Sequence, residues 1–174
     1  MSIVTLVGNP RAGSRTLAVA TSAARAVGGR LGASSEAYEV VDLSGLGPHL
    51  LSPDKHPDVG AALELVTGAS LLVVASPTYK GTYTGLLKSL LDRLPPDALA
   101  GRAALPLLVM GDPKHALAVE VHLRPLLVEL GAFVPTPGLA VLESQIPQLE
   151  EVLAGWADRV TPQVAAVLKE GALS

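Results

Sequence analysis

The sequence contains no cysteine. That absence excludes disulfides, thiolate metal sites, iron–sulfur clusters and a cysteine nucleophile together. Aromatic residues are nearly as scarce, at 3% of 174 residues, which leaves few rings on which nucleic-acid bases could stack. An excess of either charge is also missing: 13 Lys and Arg against 16 Asp and Glu give a net charge of −3. No basic run marks a nucleic-acid stripe or a membrane surface. Nor does any apolar run reach the roughly 18 residues that span a bilayer. The chain passes from Met1 straight into the apolar Ile3 to Val7 without a basic leader, so a cytoplasmic protein with no nucleic-acid and no membrane partner is the expectation.

What is present is aliphatic. Apolar residues make up 49% of the chain, and with so few rings the core must be built from Ala, Val and Leu, the materials of helices packed on a parallel sheet. The length suits one domain over residues 1–174, large enough to bury a core and hold a small-molecule site. Period and breakers predict strands at about 3–8, 37–42, 69–75, 103–110 and 138–142, and helices at about 14–28, 58–67, 83–94 and 114–131. A terminal helix runs from Pro147 towards Lys169, and a Pro-rich, partly irregular connection covers Leu43 to Pro57. Pro125 should kink the 114–131 helix, and Thr161-Pro162 should split the last one.

Strict alternation of strand and helix implies parallel strands with helical crossovers, and five strands suit a doubly wound sheet in the order 2-1-3-4-5 with helices on both faces. Ligands on such sheets bind beyond the carboxyl ends of the strands, where the order reverses between strands one and three. The loops at those two points are Gly8 to Thr16 and Ser76 to Gly85, both marked by glycine and proline.

The first loop, Gly8-Asn9-Pro10-Arg11-Ala12-Gly13-Ser14-Arg15-Thr16, has the make-up of an anion cradle. Free N–H groups at a helix start attract phosphate, and hydroxyls and guanidinium groups add donors. A lone Ser in that place is ordinarily a helix cap, but here a Ser, a Thr and two Arg crowd one turn. The lysine of a nucleoside-triphosphatase loop is replaced by Ser14, and no G-x-G-x-x-G fingerprint is present, which leaves a monophosphate held by hydroxyls. The second loop, Ser76-Pro77-Thr78-Tyr79-Lys80-Gly81-Thr82-Tyr83-Thr84-Gly85, puts aromatic surface where turns usually carry small polar residues.

With G-N-P-R-x-x-S-R-T after the first strand and S-P-x-Y-K-G-x-Y-x-G-x-L-K-x-x-L-D after the third, the chain resembles the NAD(P)H-dependent FMN reductase family over nearly its whole length. It is similar in particular to the reductase components of two-component alkanesulfonate monooxygenase systems, which also resemble it at Leu94-Pro95, Leu105-Pro106 and Gly111 to His115. The resemblance implies a flavodoxin-like fold, non-covalent FMN, NADPH or NADH as co-substrate, and delivery of reduced flavin to a partner monooxygenase. It places Arg11, Ser14 and Thr16, with Arg15 close by, on the FMN phosphate. Pro77, Thr78, Tyr79, Lys80 and Gly81 would border the isoalloxazine and ribityl chain, and Gly111, Asp112 and His115 the pyrimidine edge. The family usually has a Gly-Gly pair where this chain has Gly111-Asp112, so the role of Asp112 is open. Tyr83 stands where relatives carry an aromatic residue associated with a π-bulge and a subunit interface, and the leucine-rich helix 84–94 carries apolar residues over an arc wide enough that a homodimer or homotetramer is expected.

No catalytic side chain is assigned, since the cofactor carries the electron chemistry. The same fold also suits an FMN-containing quinone, azo or metal-ion reductase, or an electron carrier, although carriers of this type are acidic and aromatic-rich. His115 and His122 lack a third ligand for a metal. His49 and His56 are expected in solvent, Glu150-Glu151 on a solvated face, and Trp156 in the core.

Overall fold

In a computed structural model, which describes residues 1–171, the apolar runs form five strands: β1 Ile3–Val7, β2 Tyr38–Asp42, β3 Leu71–Pro77, β4 Ala103–Met110 and β5 Leu139–Leu142. They pair in parallel in the order β2-β1-β3-β4-β5, the doubly wound arrangement the alternation predicts. Every residue of β1, β3 and β4 is buried, as befits strands covered on both faces. Side chains alternate between two cores because successive residues of a strand point to opposite faces. Val4, Leu6, Leu72, Val74, Ala104, Leu108 and Met110 join one core, and Ile3, Val7, Leu71, Val73, Ala75, Leu105, Leu107 and Val109 the other.

Helices α1 (Arg15–Arg30) and α6 (Leu149–Gly171) cover the second core, with Trp156 only 4% exposed among its residues. The first is covered by α2 (Gly47–Leu50), α3 (Pro57–Gly68), α4 (Gly85–Leu91) and α5 (Arg124–Glu129). Each fully buried Leu contributes about 1.5–3 kcal/mol of transfer free energy, and Leu87, Leu90 and Leu91 bring three such side chains from α4 alone. The apolar arc of that helix is therefore largely absorbed within the chain.

Several expected boundaries shift. The helix expected at 114–131 is three pieces, a 3-10 turn Pro113–His115, a π turn Val119–Leu123 and α5. Pro125 sits in the first turn of α5, and Arg124 N–H reaches back to the Val119 carbonyl. The proline, which cannot donate, is accommodated by a widened turn ahead of it rather than by a simple kink. The π turn lies here, whereas α4 beside Tyr83 is α-helical throughout. Thr161-Pro162 does not split α6. The Thr161 hydroxyl donates to the Ala157 carbonyl at 2.7 Å, and exposed Asp158 leaves the carbonyl that Pro162 cannot serve next to water. The 43–57 connection contains a 3-10 turn, Leu43–Gly45, as well as α2. In it His49 and His56 are half-buried and stack at 3.7 Å rather than standing in solvent. Another 3-10 turn, Glu143–Gln148, precedes α6.

Pro106 lies inside β4, where a missing donor would ordinarily break the ladder. Ala104 N–H donates to Phe133 outside the sheet, and β5 begins only opposite Leu107. The position of the absent N–H thus falls in the gap between those two partners.

Candidate functional site

The carboxyl ends of β1 and β3 are adjacent, with Val7 opposite Ala75, and the Gly8 N–H continues the ladder to the Ala75 carbonyl at 2.8 Å. The two glycine-rich loops therefore start side by side. The first turns on Asn9, which is buried: its amide donates to Thr16 Oγ1 at 3.0 Å while its Oδ1 accepts from Arg11 N–H at 3.0 Å. Gly13 follows at φ 62°, a conformation favouring glycine. Ser14 then caps α1, its Oγ accepting from Leu17 N–H at 3.2 Å. Because that bond uses a lone pair, the Ser14 hydroxyl keeps its proton for an outside acceptor. The N–H groups of Arg15 and Thr16 belong to the first turn, where no intrahelical acceptor exists, at the positive end of a 16-residue helix.

The second loop is a tight hairpin. Tyr79 and Thr82 exchange both backbone hydrogen bonds, at 2.9 and 3.3 Å, around Lys80 and Gly81 at φ 54° and 83°. Two central residues at positive φ are the signature of the turn whose twist matches a two-stranded ribbon. Thr78 N–H donates to the Val109 carbonyl at 2.8 Å, which fixes the hairpin base against β4. Tyr79 and Lys80 are exposed at its tip, Pro77 is buried at its base, and Gly81 is half-buried.

Thr84 locks the two loops together. Its hydroxyl donates to the Gly8 carbonyl at 2.6 Å and accepts from Leu87 N–H as the cap of α4, while its own N–H donates to Ser76 Oγ at 2.9 Å. Gly8 permits this closeness, since a Cβ there would fall 2.5 Å from Leu87 Cβ.

The third loop, after β4, is held by Asp112, whose carboxylate accepts from Lys114 N–H at 2.9 Å and pairs with Lys114 Nζ at 2.8 Å. The hydrogen bond from the Lys114 side chain, followed by that from its backbone, holds the Asp112 carboxyl below its ordinary range. The carboxylate thus serves its own turn, with Gly111 exposed before it and His115 half-buried after it.

Charge at this edge is partly cancelled. Arg15 pairs with Glu143 at 3.0 Å and Lys114 with Asp112. The side chains of Arg11 and Lys80, both exposed, have no partner among the described residues. A cleft of about 610 Å³ lies elsewhere, between α1 and α6, lined by Ser22, Ala26, Arg30 and Leu153 among others. Its arginine is already committed to Asp158 and the Ala154 carbonyl.

The profile of the NADPH-dependent FMN reductase family matches residues 1–146. The chain belongs to this family. An FMN reductase (NADPH) of Escherichia coli K12 is 35% identical over 148 residues, covering 84% of this chain and 75% of the relative. An NADH-dependent FMN reductase, SfnF, of Pseudomonas fluorescens is 34% identical, covering 72% and 68%. Among solved structures, the apo form of an NADH:FMN oxidoreductase, EMOB, superposes with a TM-score of 0.82 at 33% identity, covering 97% of this chain and 89% of that one. The flavodoxin-like fold and an NAD(P)H-dependent oxidoreductase of FMN follow from these matches.

The FMN reductase edge fits its cofactor on its own geometry. Thr78 Oγ1 is buried with no hydrogen-bond partner among the described residues, and a buried hydroxyl left unmatched calls for an outside one. With the first-turn N–H groups, the Ser14 proton and Arg11, the chain offers donors for a phosphate at one loop and an unsatisfied hydroxyl at the other. Thr16 does not face solvent: at 1% exposure it supports the loop from beneath through Asn9. Tyr83 is half-buried ahead of the α4 cap and packs against the core. Sequence reasoning missed Asn9, Ser76, Thr84 and Glu143. The Asn-Pro pair and the Thr before Gly85 are turn and cap signals that could have found two of them.

Proposed function

We propose that this FMN reductase passes reducing equivalents from NADPH or NADH to FMN and releases the reduced flavin to a partner flavin-dependent monooxygenase. The observation that carries the site assignment is the phosphate-type loop, with the Ser14 hydroxyl proton, Arg11 and the first-turn N–H groups unspent, locked beside the 78–82 hairpin at the switch point of the sheet. Arg11, Ser14 and the N–H groups of Arg15 and Thr16 hold the phosphate. Thr78, Tyr79, Lys80 and Gly81, with Pro77 as their base, border the ring and ribityl chain. Gly111, Asp112 and His115 flank the other edge through a turn that the Asp112–Lys114 pair stiffens.

When bound, FMN supplies the acceptor for two electrons and a proton from the nicotinamide. The chain's part is to bind and orient: the hairpin fixes one side, the phosphate loop sets the depth, and no side-chain acid or base is required. Relatives named for NADPH and for NADH both match, which supports a nicotinamide dinucleotide as the reductant without favouring one of the two. Release of flavin fits a rim where half the cations are already paired. A cytoplasmic homodimer or homotetramer, with Tyr83 near a subunit contact, completes the reading.

FMN titration followed by ring fluorescence tests the site. Ser14→Ala combined with Arg11→Ala weakens FMN affinity at least about tenfold, the loss of two charge-assisted hydrogen bonds to the phosphate. Unchanged affinity removes the phosphate assignment. Steady-state turnover that saturates with added FMN supports release, whereas full turnover of a quinone by holoenzyme without free FMN makes the chain a quinone reductase instead.

A further inference from the structure

Arg15 and Glu143 reach each other from distant parts of the chain. Arg15 opens α1 at the phosphate loop, and Glu143 opens the 3-10 turn that follows β5, so both stand at the carboxyl edge of the sheet, 3.0 Å apart. Their side chains are 62% and 41% exposed, and neither has another hydrogen-bond partner among the described residues. Pairs of this kind contribute little to folding stability, so a role as a strut explains them poorly. The rim carries four cations, Arg11, Arg15, Lys80 and Lys114, and carboxylates neutralise two of them, through Glu143 and Asp112.

We infer that Glu143 sets the affinity for the flavin phosphate, holding the Arg15 guanidinium away from it and adding a negative charge beside the loop. The residue is thus a positioning residue whose effect is to keep FMN exchangeable, and the inference rests on the phosphate-loop assignment above. Its logic is electrostatic. Converting Glu143 to a neutral amide of the same shape removes one repulsion and frees one guanidinium for a ligand carrying close to two negative charges. A ligand without phosphate feels neither change.

The test measures FMN and riboflavin binding to the full-length chain by quenching of flavin fluorescence, for the natural protein and for Glu143→Gln. FMN affinity rises about three- to fivefold in Glu143→Gln at low ionic strength, and the gain shrinks as salt is added. Riboflavin affinity stays the same, and adding Arg15→Ala to Glu143→Gln cancels the gain. Unchanged FMN affinity in Glu143→Gln, with the natural protein still preferring FMN to riboflavin, overturns the inference and leaves the phosphate loop standing. Equal tightening of both ligands overturns it as well, because the effect then does not act through phosphate. If the natural protein binds FMN and riboflavin alike, the phosphate assignment itself fails and takes the inference with it.

Discussion

Gly8→Ala is the sharpest probe of how the two ligand loops are held. A Cβ at position 8 would fall 2.5 Å from Leu87 Cβ, 3.2 Å from Leu87 Cα and 3.3 Å from Leu87 Cγ. Non-bonded carbons rest at about 3.5–4.0 Å, so α4 must retreat from the end of β1 by about 1 Å. Retreat stretches the 2.6 Å hydrogen bond from Thr84 to the Gly8 carbonyl, which sits in a buried place where water cannot replace the donor. Overpacking costs about 1–3 kcal/mol and the stretched bond about 1 kcal/mol more, for a total of about 2–4 kcal/mol. At this chain length each kcal/mol lowers Tm by about 2–4 °C. Urea denaturation followed by circular dichroism reads the change as a lower midpoint at an unchanged slope. Leu87→Ala does not rescue, because the tightest contact is to Cβ, which alanine keeps. A Gly8→Ala protein within about 0.5 kcal/mol of the natural one would refute the idea that loop and helix are held at this distance.

Two further outcomes follow from the same contacts. Thr84→Val removes the α4 cap and the donor to the Gly8 carbonyl. It lowers stability by about 2–3 kcal/mol in urea denaturation, while Thr84→Ser, which keeps the hydroxyl, stays close to the natural protein. Asp112 is held below its ordinary value by Lys114. A carboxyl depressed in the folded state contributes its stabilisation above the unfolded value of about 3.9 and loses it as pH falls through the lower folded value. The Asp112–Lys114 pair is therefore fully formed at neutral pH and weakens only in acid. Lys114→Ala moves the Asp112 titration back up, as NMR of its side-chain carboxyl carbon would show; an unmoved titration would mean that Lys114 is not the cause.

The sheet was legible because its signal is local. Runs such as Leu71 to Ala75 are apolar without a break, and their short length and bounding Gly and Pro mark them as strands buried on both faces rather than helix segments. Strand order followed from alternation and chain handedness rather than from any residue. The prolines were misread for a physical reason. Pro125 and Pro162 both break a helical pattern in sequence, yet one is accommodated by a π turn and the other by a carbonyl at the exposed Asp158. Which remedy applies depends on where each turn faces, and that is a property of the packed chain.

The site divides along the same line. Arg11, Ser14, Tyr79 and Lys80 stood out because hydroxyl, cationic and aromatic side chains crowded into turns carry chemistry visible in a string of letters. Asn9, Ser76 and Thr84 carry none of their own, and their function lies in partners 7, 8 and 76 positions away. Glu143 is further still from Arg15 in sequence, and only the fold of β5 beside β4 brings it to the phosphate loop. The exposed set decides what the edge can bind, whereas the buried set decides whether its donors stand still before the ligand arrives. A loop whose donors are fixed in advance loses little further freedom on binding. Affinity can then be tuned by a single peripheral charge, because changing that charge leaves the buried hydrogen bonds that build the loops intact.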